Sequence, residues 1–148
     1  MTREEGTAGP VLGYVGRDGR RRVTSGGPWE ARHGYSRAVV AGDACFVAGT
    51  TDAGPDGTAR HPGADDQADA IFAIIAASLE AAGFTLPDVV RTRMYVVHAT
   101  DIPAVAEAHG RWLGDVRPAA TLVVVAGLID PSLRVEIVVE ARQRRGPG

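Results

Sequence analysis

The stretch from Asp88 to Leu128, DVVRTRMYVVHATDIPAVAEAHGRWLGDVRPAATLVVVAGL, changes its hydrophobic period twice. It opens in alternation, with Val90, Thr92, Met94, Val96 and His98 on one side and Arg91, Arg93 and Tyr95 on the other, which predicts a strand. From Thr100 or Asp101 the period becomes helical. Ile102, Val105, Ala106, His109, Trp112 and Leu113 then share a face, Pro103 is tolerated in the first turn, and Gly114 ends the run. After Arg117-Pro118 comes TLVVVAGL, residues 121–128, apolar throughout and of strand length. Alternation cannot produce such a run, so this strand is expected to be covered on both faces.

Downstream, Leu133–Arg142 alternates again: Leu133, Val135, Ile137, Val139 and Ala141 face one way, and Arg134, Glu136, Glu140 and Arg142 the other. Upstream, Asp65–Ala82 carries Ala68, Ile71, Phe72, Ile75, Leu79 and Ala82 at spacings of three and four, one helical stripe closed by Gly83. Asp65, Asp66 and Asp69 crowd its start, where the helix dipole and solvent account for them. Ala38–Val40 and Cys45–Gly49, joined at Gly42-Asp43, read as two short strands, and DAGPDGTARHPG, 52–63, is a loop. The order from Ser36 is β-β-α-β-α-β-β. Residues 1–27 read as an N-terminal arm or hairpin, 28–142 as the domain, and 143–148 as a flexible C-terminal tail. Two helices cover one face of a sheet of five or six strands, yet TLVVVAGL asks for cover on both. The economical solution is a symmetric homo-oligomer packing sheet to sheet, with Glu136 near the contact or its clefts.

The chain's 148 residues suit one domain, and with 45% hydrophobic and 23% charged residues it folds without metal or disulfide staples. Its net charge of −2 supplies no electrostatic reason for a nucleic-acid partner. No apolar run reaches membrane-span length and the start lacks a secretory core, so a cytoplasmic protein without a membrane partner is expected. All 16 basic residues are arginine, which excludes Schiff-base chemistry on an internal lysine. The single cysteine, Cys45, lies in an apolar strand and reads as an inert buried thiol. His33, His61, His98 and His109 lack metal-ligand spacing, and zincin, Walker, dinucleotide-binding and serine-hydrolase motifs are all missing. No metal and no cofactor is expected.

Read together, Gly34-Tyr35-Ser36-Arg37-Ala38-Val39, Phe46-Val47-Ala48-Gly49, Asp88–Thr92, Arg117-Pro118-Ala119-Ala120-Thr121 and Val135-Glu136-Ile137 resemble the RidA/YjgF family of reactive-intermediate deaminases. The resemblance spans about residues 28–142. It implies the chorismate-mutase-like α/β fold, a two-layer α+β arrangement with a mixed sheet and two helices on one face. It also implies a homotrimer with clefts between subunits that bind a small-molecule metabolite. In deaminating members a glutamate positions the water that hydrolyses an enamine or imine, and an arginine holds the substrate carboxylate. The glutamate falls on Glu136, the motif tyrosine on Tyr35 and the strand glycine on Gly49. The arginine falls on Ala120, which offers no charged fork.

Tyr35, Gly49, Arg93, Ala120 and Thr121 are thus the expected substrate-binding positions, with Glu136 catalytic. Arg93 and Arg117 are the candidates for a replacement cation, against a reading of both as surface or subunit-contact arginines. Trp29-Glu30 either closes over the cleft or anchors the arm. The expected function is hydrolytic deamination of an enamine, imine or related metabolite, other than standard 2-imino-acid deamination. The alternative is a non-catalytic metabolite-binding or regulatory trimer. RNA cleavage has little support, because Arg20–Arg22 is the one basic cluster besides the tail.

Overall fold

The computed structural model describes residues 9–144. A single sheet of seven strands is backed by two long helices, in the expected order. The strands are β1 (Val11–Val15), β2 (Arg21–Thr24), β3 (Ala38–Ala41), β4 (Ala44–Thr50), β5 (Val89–Val96), β6 (Ala119–Val124) and β7 (Val135–Arg142). Their spatial order is β1-β2-β3-β4-β7-β5-β6. All neighbours are antiparallel except β5 and β6, which are parallel and joined by a helix crossover. The mixed α/β fold with two main helices is therefore as expected. The sheet is wider than five or six strands because the β1–β2 hairpin pairs onto β3 through Arg22↔Val39 and Val23↔Ala38. A short helix α1 (Pro28–His33), which alternation and stripe did not foretell, links β2 to β3. Residues 1–8 of the expected arm and 145–148 of the expected tail lie outside the described residues.

Helix α2 (Ala64–Ala81) buries the stripe read from sequence: Ala68, Ile71, Phe72, Ile75, Leu79 and Ala82 are inaccessible. Each large side chain contributes roughly 1.5–3 kcal/mol through that burial. Gly83, at φ +86°, supplies the left-handed residue that ends the helix. Helix α3 (Ile102–Leu113) is turned relative to its expected face. Val105, Ala108 and Leu113 are buried, while Ile102 and Ala106 are exposed. The turn follows from packing on α2, where Phe72 stacks on Trp112 at 6.0 Å and meets His109 edge-on at 6.0 Å. Ala108, small enough for close approach, takes the core position that Ala106 was expected to hold.

One further expectation is corrected. Val90 is 43% exposed, because β7 runs from Glu140 to Ala141 while β5 runs from Arg91 back to Val89. Val90 is the extra residue of a bulge, and Val89 takes the core side. Within the single chain TLVVVAGL has cover on one face at most; the second cover is the one expected of a partner copy. Strand β6 is an edge, and Val123 and Val124 are 41% and 50% exposed.

Candidate functional site

Alternation along β7 sends Val135, Ile137, Val139 and Ala141 into the helix-backed core and leaves Glu136, Val138 and Glu140 on the helix-free face. Across that face Glu136 pairs with Tyr95 of β5. On its other side β4 breaks register. Val47 opposes Val139 and Thr50 opposes Ile137, so Ala48 and Gly49 together face Val138. This is a bulge, a device that re-aims a strand edge beside a site. Its effect is to bring Gly49 against the Glu136 carboxylate: a Cβ on Gly49 would lie 2.7 Å from Glu136 Oε2. Gly49 is thus needed for space; its backbone has no left-handed strain.

Arg37 holds the bulge in shape. Its Nη2 donates to the carbonyls of Ala48 at 2.8 Å and Gly49 at 2.9 Å, and the Thr50 hydroxyl donates to Ala48 O at 2.9 Å. Arg37 Nε is buried and has no hydrogen-bond partner. Burial pulls this guanidinium below the ordinary arginine value, against the attraction of Glu30, Tyr35 and Glu136. The Glu136 carboxyl is shifted upward, because half-burial disfavours its charge more than Arg37 favours it. Glu136, Gly49, Arg37 and Tyr35 therefore form one neighbourhood. Arg37 was quoted within a motif but not singled out; the signal was an arginine opening the apolar strand Ala38–Val40.

The other expected residues lie elsewhere. Arg93 shares the helix-free face, but its Nη1 reaches Glu140 at 3.4 Å, on the side of Val138 away from Glu136. Thr121 is the register neighbour of Arg93 on β6. Ala120 aligns with Thr92, whose buried hydroxyl meets His109 Nε2 at 2.8 Å on the helix side. Ala120 thus faces away from Glu136. It also sits three residues before Val123, about 10 Å along the strand, with β5 intervening between β6 and β7. Arg117, at φ +53°, belongs to that same distant end. Within one chain, neither Ala120 nor Arg117 joins Glu136.

Trp29 stands exposed on α1, stacked on His33 at 5.7 Å, with the Arg32 guanidinium 5.3 Å from its ring centre. Buried Glu30 accepts from the backbone N–H of Ser25 at 3.1 Å and from its hydroxyl, tying α1 back to the end of β2. Cys45 is buried, and burial pushes its thiol up to about 11. His109 packs against Phe72, and burial lowers its value. Asp69 accepts from Trp112 Nε1 at 2.9 Å and Arg111 at 2.9 Å, an inter-helix role. Among the described residues no group of three or more His, Cys, Asp or Glu is placed to hold a metal ion. No described helix is long and apolar enough to cross a membrane.

Comparisons with known proteins agree with this fold. The endoribonuclease L-PSP family profile matches residues 27–143. Uncharacterized protein SCO2049 of Streptomyces coelicolor is 40% identical over 121 residues, covering 82% of this chain and 90% of its own length. RutC family protein PH0854 of Pyrococcus horikoshii is 33% identical over 95 residues, 64% of this chain and 75% of that protein. The crystal structure of Rv2704 from Mycobacterium tuberculosis, a member of the highly conserved YjgF/YER057c/UK114 family, superposes with a TM-score of 0.77. Its sequence is 40% identical, and the match covers 84% of this chain and 99% of that one.

Proposed function

The chain belongs to the endoribonuclease L-PSP family, the RidA/YjgF group, and from that premise we propose that it is a homotrimer hydrolysing a small enamine or imine in clefts between subunits. Glu136 is its base or water-positioning group. The observation that carries this reading is the Glu136 carboxylate itself, half-buried against Gly49 and shifted upward by desolvation. A carboxylate in that condition takes a proton from water at near-neutral pH more readily than a fully hydrated one. Water adds to the imine carbon while Glu136 takes one of its protons and passes it to the nitrogen; Glu136 then carries the hydroxyl proton of the resulting carbinolamine to the same nitrogen as the C–N bond breaks and the C=O bond forms. The products are a ketone and ammonia, and no cofactor enters the balance.

The substrate differs from a simple 2-imino acid. Ala120 supplies no fork for a carboxylate, and Arg93 is engaged by Glu140. The cleft is expected to take a ligand that is uncharged at that position or bulkier, with Tyr35, Thr121 and the helix-free face as its walls. Ala120 and Glu136 lie on opposite faces of one sheet, so a cleft using both needs a second copy.

The substitution at Ala120 equally favours a second reading, a trimer that binds a metabolite without turnover. RNA cleavage, named in the family's description, finds less support. Arg20 and Arg22 are both paired with Asp18, at 3.2 and 2.7 Å, which offsets part of the charge of the Arg20–Arg22 cluster.

The test is ketone release from 2-aminoacrylate and from larger or uncharged imines generated in situ, with wild type, Glu136→Gln and Ala120→Arg. Acceleration lost in Glu136→Gln supports hydrolysis. Ligand binding with no acceleration on any imine supports the binding module. Gain on 2-aminoacrylate in Ala120→Arg alone marks a competent cleft retuned to another substrate.

A further inference from the structure

At the end of the sheet where β4 runs out and β7 begins, the loop 52–63, the approach to α3 and the segment before β7 line an open surface depression of about 590 Å³. That volume lies within the range of small-molecule sites. Every ionisable side chain in its wall is basic: Arg60, His61, His98 and Arg134.

Two of the four are fixed from behind by buried acids. Asp52, 1% exposed, accepts from the backbone N–H of His61 at 2.8 Å and from His61 Nδ1 at 2.9 Å. An ionised carboxylate only accepts, so Nδ1 carries the proton and Nε2 is turned away from Asp52. Arg134 is held flat by both oxygens of Asp101, through Nε and Nη2 at 2.9 Å each. Gln67, fully buried, joins the wall segments by donating to His61 O and Ser132 O and accepting from the N–H of Arg134. The remaining two are uncommitted. The Arg60 stem lies along Gly54, where a Cβ would meet its Cγ at 3.4 Å, and among the described residues no carboxylate pairs with its guanidinium. The exposed His98 imidazole likewise has no side-chain partner among them. Asp56 and Asp130 accept from Thr58 and Ser132 on their own turns and stay charged, so an anion here would be held by direct hydrogen bonds from Arg60 and His98 rather than by the net field of the pocket.

A free guanidinium fork beside the His98 imidazole, on a wall whose backbone segments Gln67 ties together, offers donors suited to an oxyanion. We propose that this pocket is a second ligand site, separate from Glu136, that binds the carboxylate or phosphate group of a small metabolite through Arg60 and His98. The site does not depend on the hydrolytic reading of Glu136.

The test titrates the full-length protein with inorganic phosphate and, separately, with succinate, following amide and imidazole resonances by NMR. Saturable shifts confined to residues 59–62, 98 and 131–134 are expected. Affinity should fall about tenfold or more in Arg60→Ala/His98→Ala, whose exposed side chains are not needed for folding, and stay unchanged in Glu136→Gln. Stronger binding of phosphate or of succinate identifies the preferred group. Three results overturn the proposal: no saturable shift with either anion up to about 50 mM, binding indifferent to the double substitution, or binding lost in Glu136→Gln, which would place the ligand at the other site.

Discussion

Gly49 and Glu136 show how one missing methyl group makes a site. The Cβ of Gly49→Ala would meet the far end of a flexible side chain, so the carboxylate swings aside while the strand stays put. Stability is expected to change by no more than about 1 kcal/mol in urea unfolding, whereas turnover on the imine substrate falls about tenfold or more, as misplaced catalytic groups commonly cause. Glu136 also carries a stability cost. Its folded-state value lies above the unfolded one, so the stability it lends is complete below the ordinary carboxylate range and is lost as pH rises through the folded value. Glu136→Gln should therefore raise Tm at pH 7–8, and the gain should shrink to nothing as pH falls through the carboxylate range. A calorimetric series that shows the reverse trend would refute the upward shift. Arg37 is the residue that sequence reading passed over. Its importance comes from two carbonyls presented by a bulge, and a bulge leaves no mark in an alternating pattern.

Elements were legible where one period ran unbroken. The α2 stripe reads directly, because all six of its positions are buried. Where two apolar residues stand together, the pattern loses its phase. Val89-Val90 satisfies either register, and it is the skip opposite Ala141 and Glu140 that selects Val89 for the core. In α3 the apolar positions outnumber those a face needs, and the contact of its His109 and Trp112 with Phe72 of α2 decides among them. For the candidate site, motif order points to Glu136, Gly49 and Tyr35, whose functional roles are proposals, while the separation of Ala120 from Glu136 depends on strand order, which the chain does not spell out. The joint between α3 and β7 yields a prediction of its own. Asp101, 7% exposed, accepts two bonds from Arg134 at the start of β7. Asp101→Ala leaves those donors unmatched and is expected to cost about 1–3 kcal/mol in chemical denaturation, with the loss localised by hydrogen exchange at residues 97–102 and 133–135.

The molecule as a whole presents an imbalance. One face of its sheet lies under α2 and α3; the other carries Phe46 at 43% and Val123 at 41% exposure, among charged residues, and ends in the β6 edge. That edge holds Leu122, Val123 and Val124 with no charge among them, so it lacks the devices by which lone edges resist uncontrolled pairing. A chain built this way needs a defined partner, and closed symmetry is the common means of supplying one. The proposed trimer does so, and it also lets the Ala120 face of one copy meet the Glu136 face of the next, which no single sheet allows. Light scattering should therefore give about three times the 15.4 kDa chain mass at micromolar concentration. Val123→Asp places a charge inside the expected contact without touching the core beneath α2. It should shift the mass toward one chain, retain the helical circular dichroism, and abolish imine turnover while Glu136, Gly49 and Arg37 remain in place. A wild type that stays monomeric, or a monomeric Val123→Asp that keeps full turnover, would place the whole site within one chain and remove the need for a shared cleft.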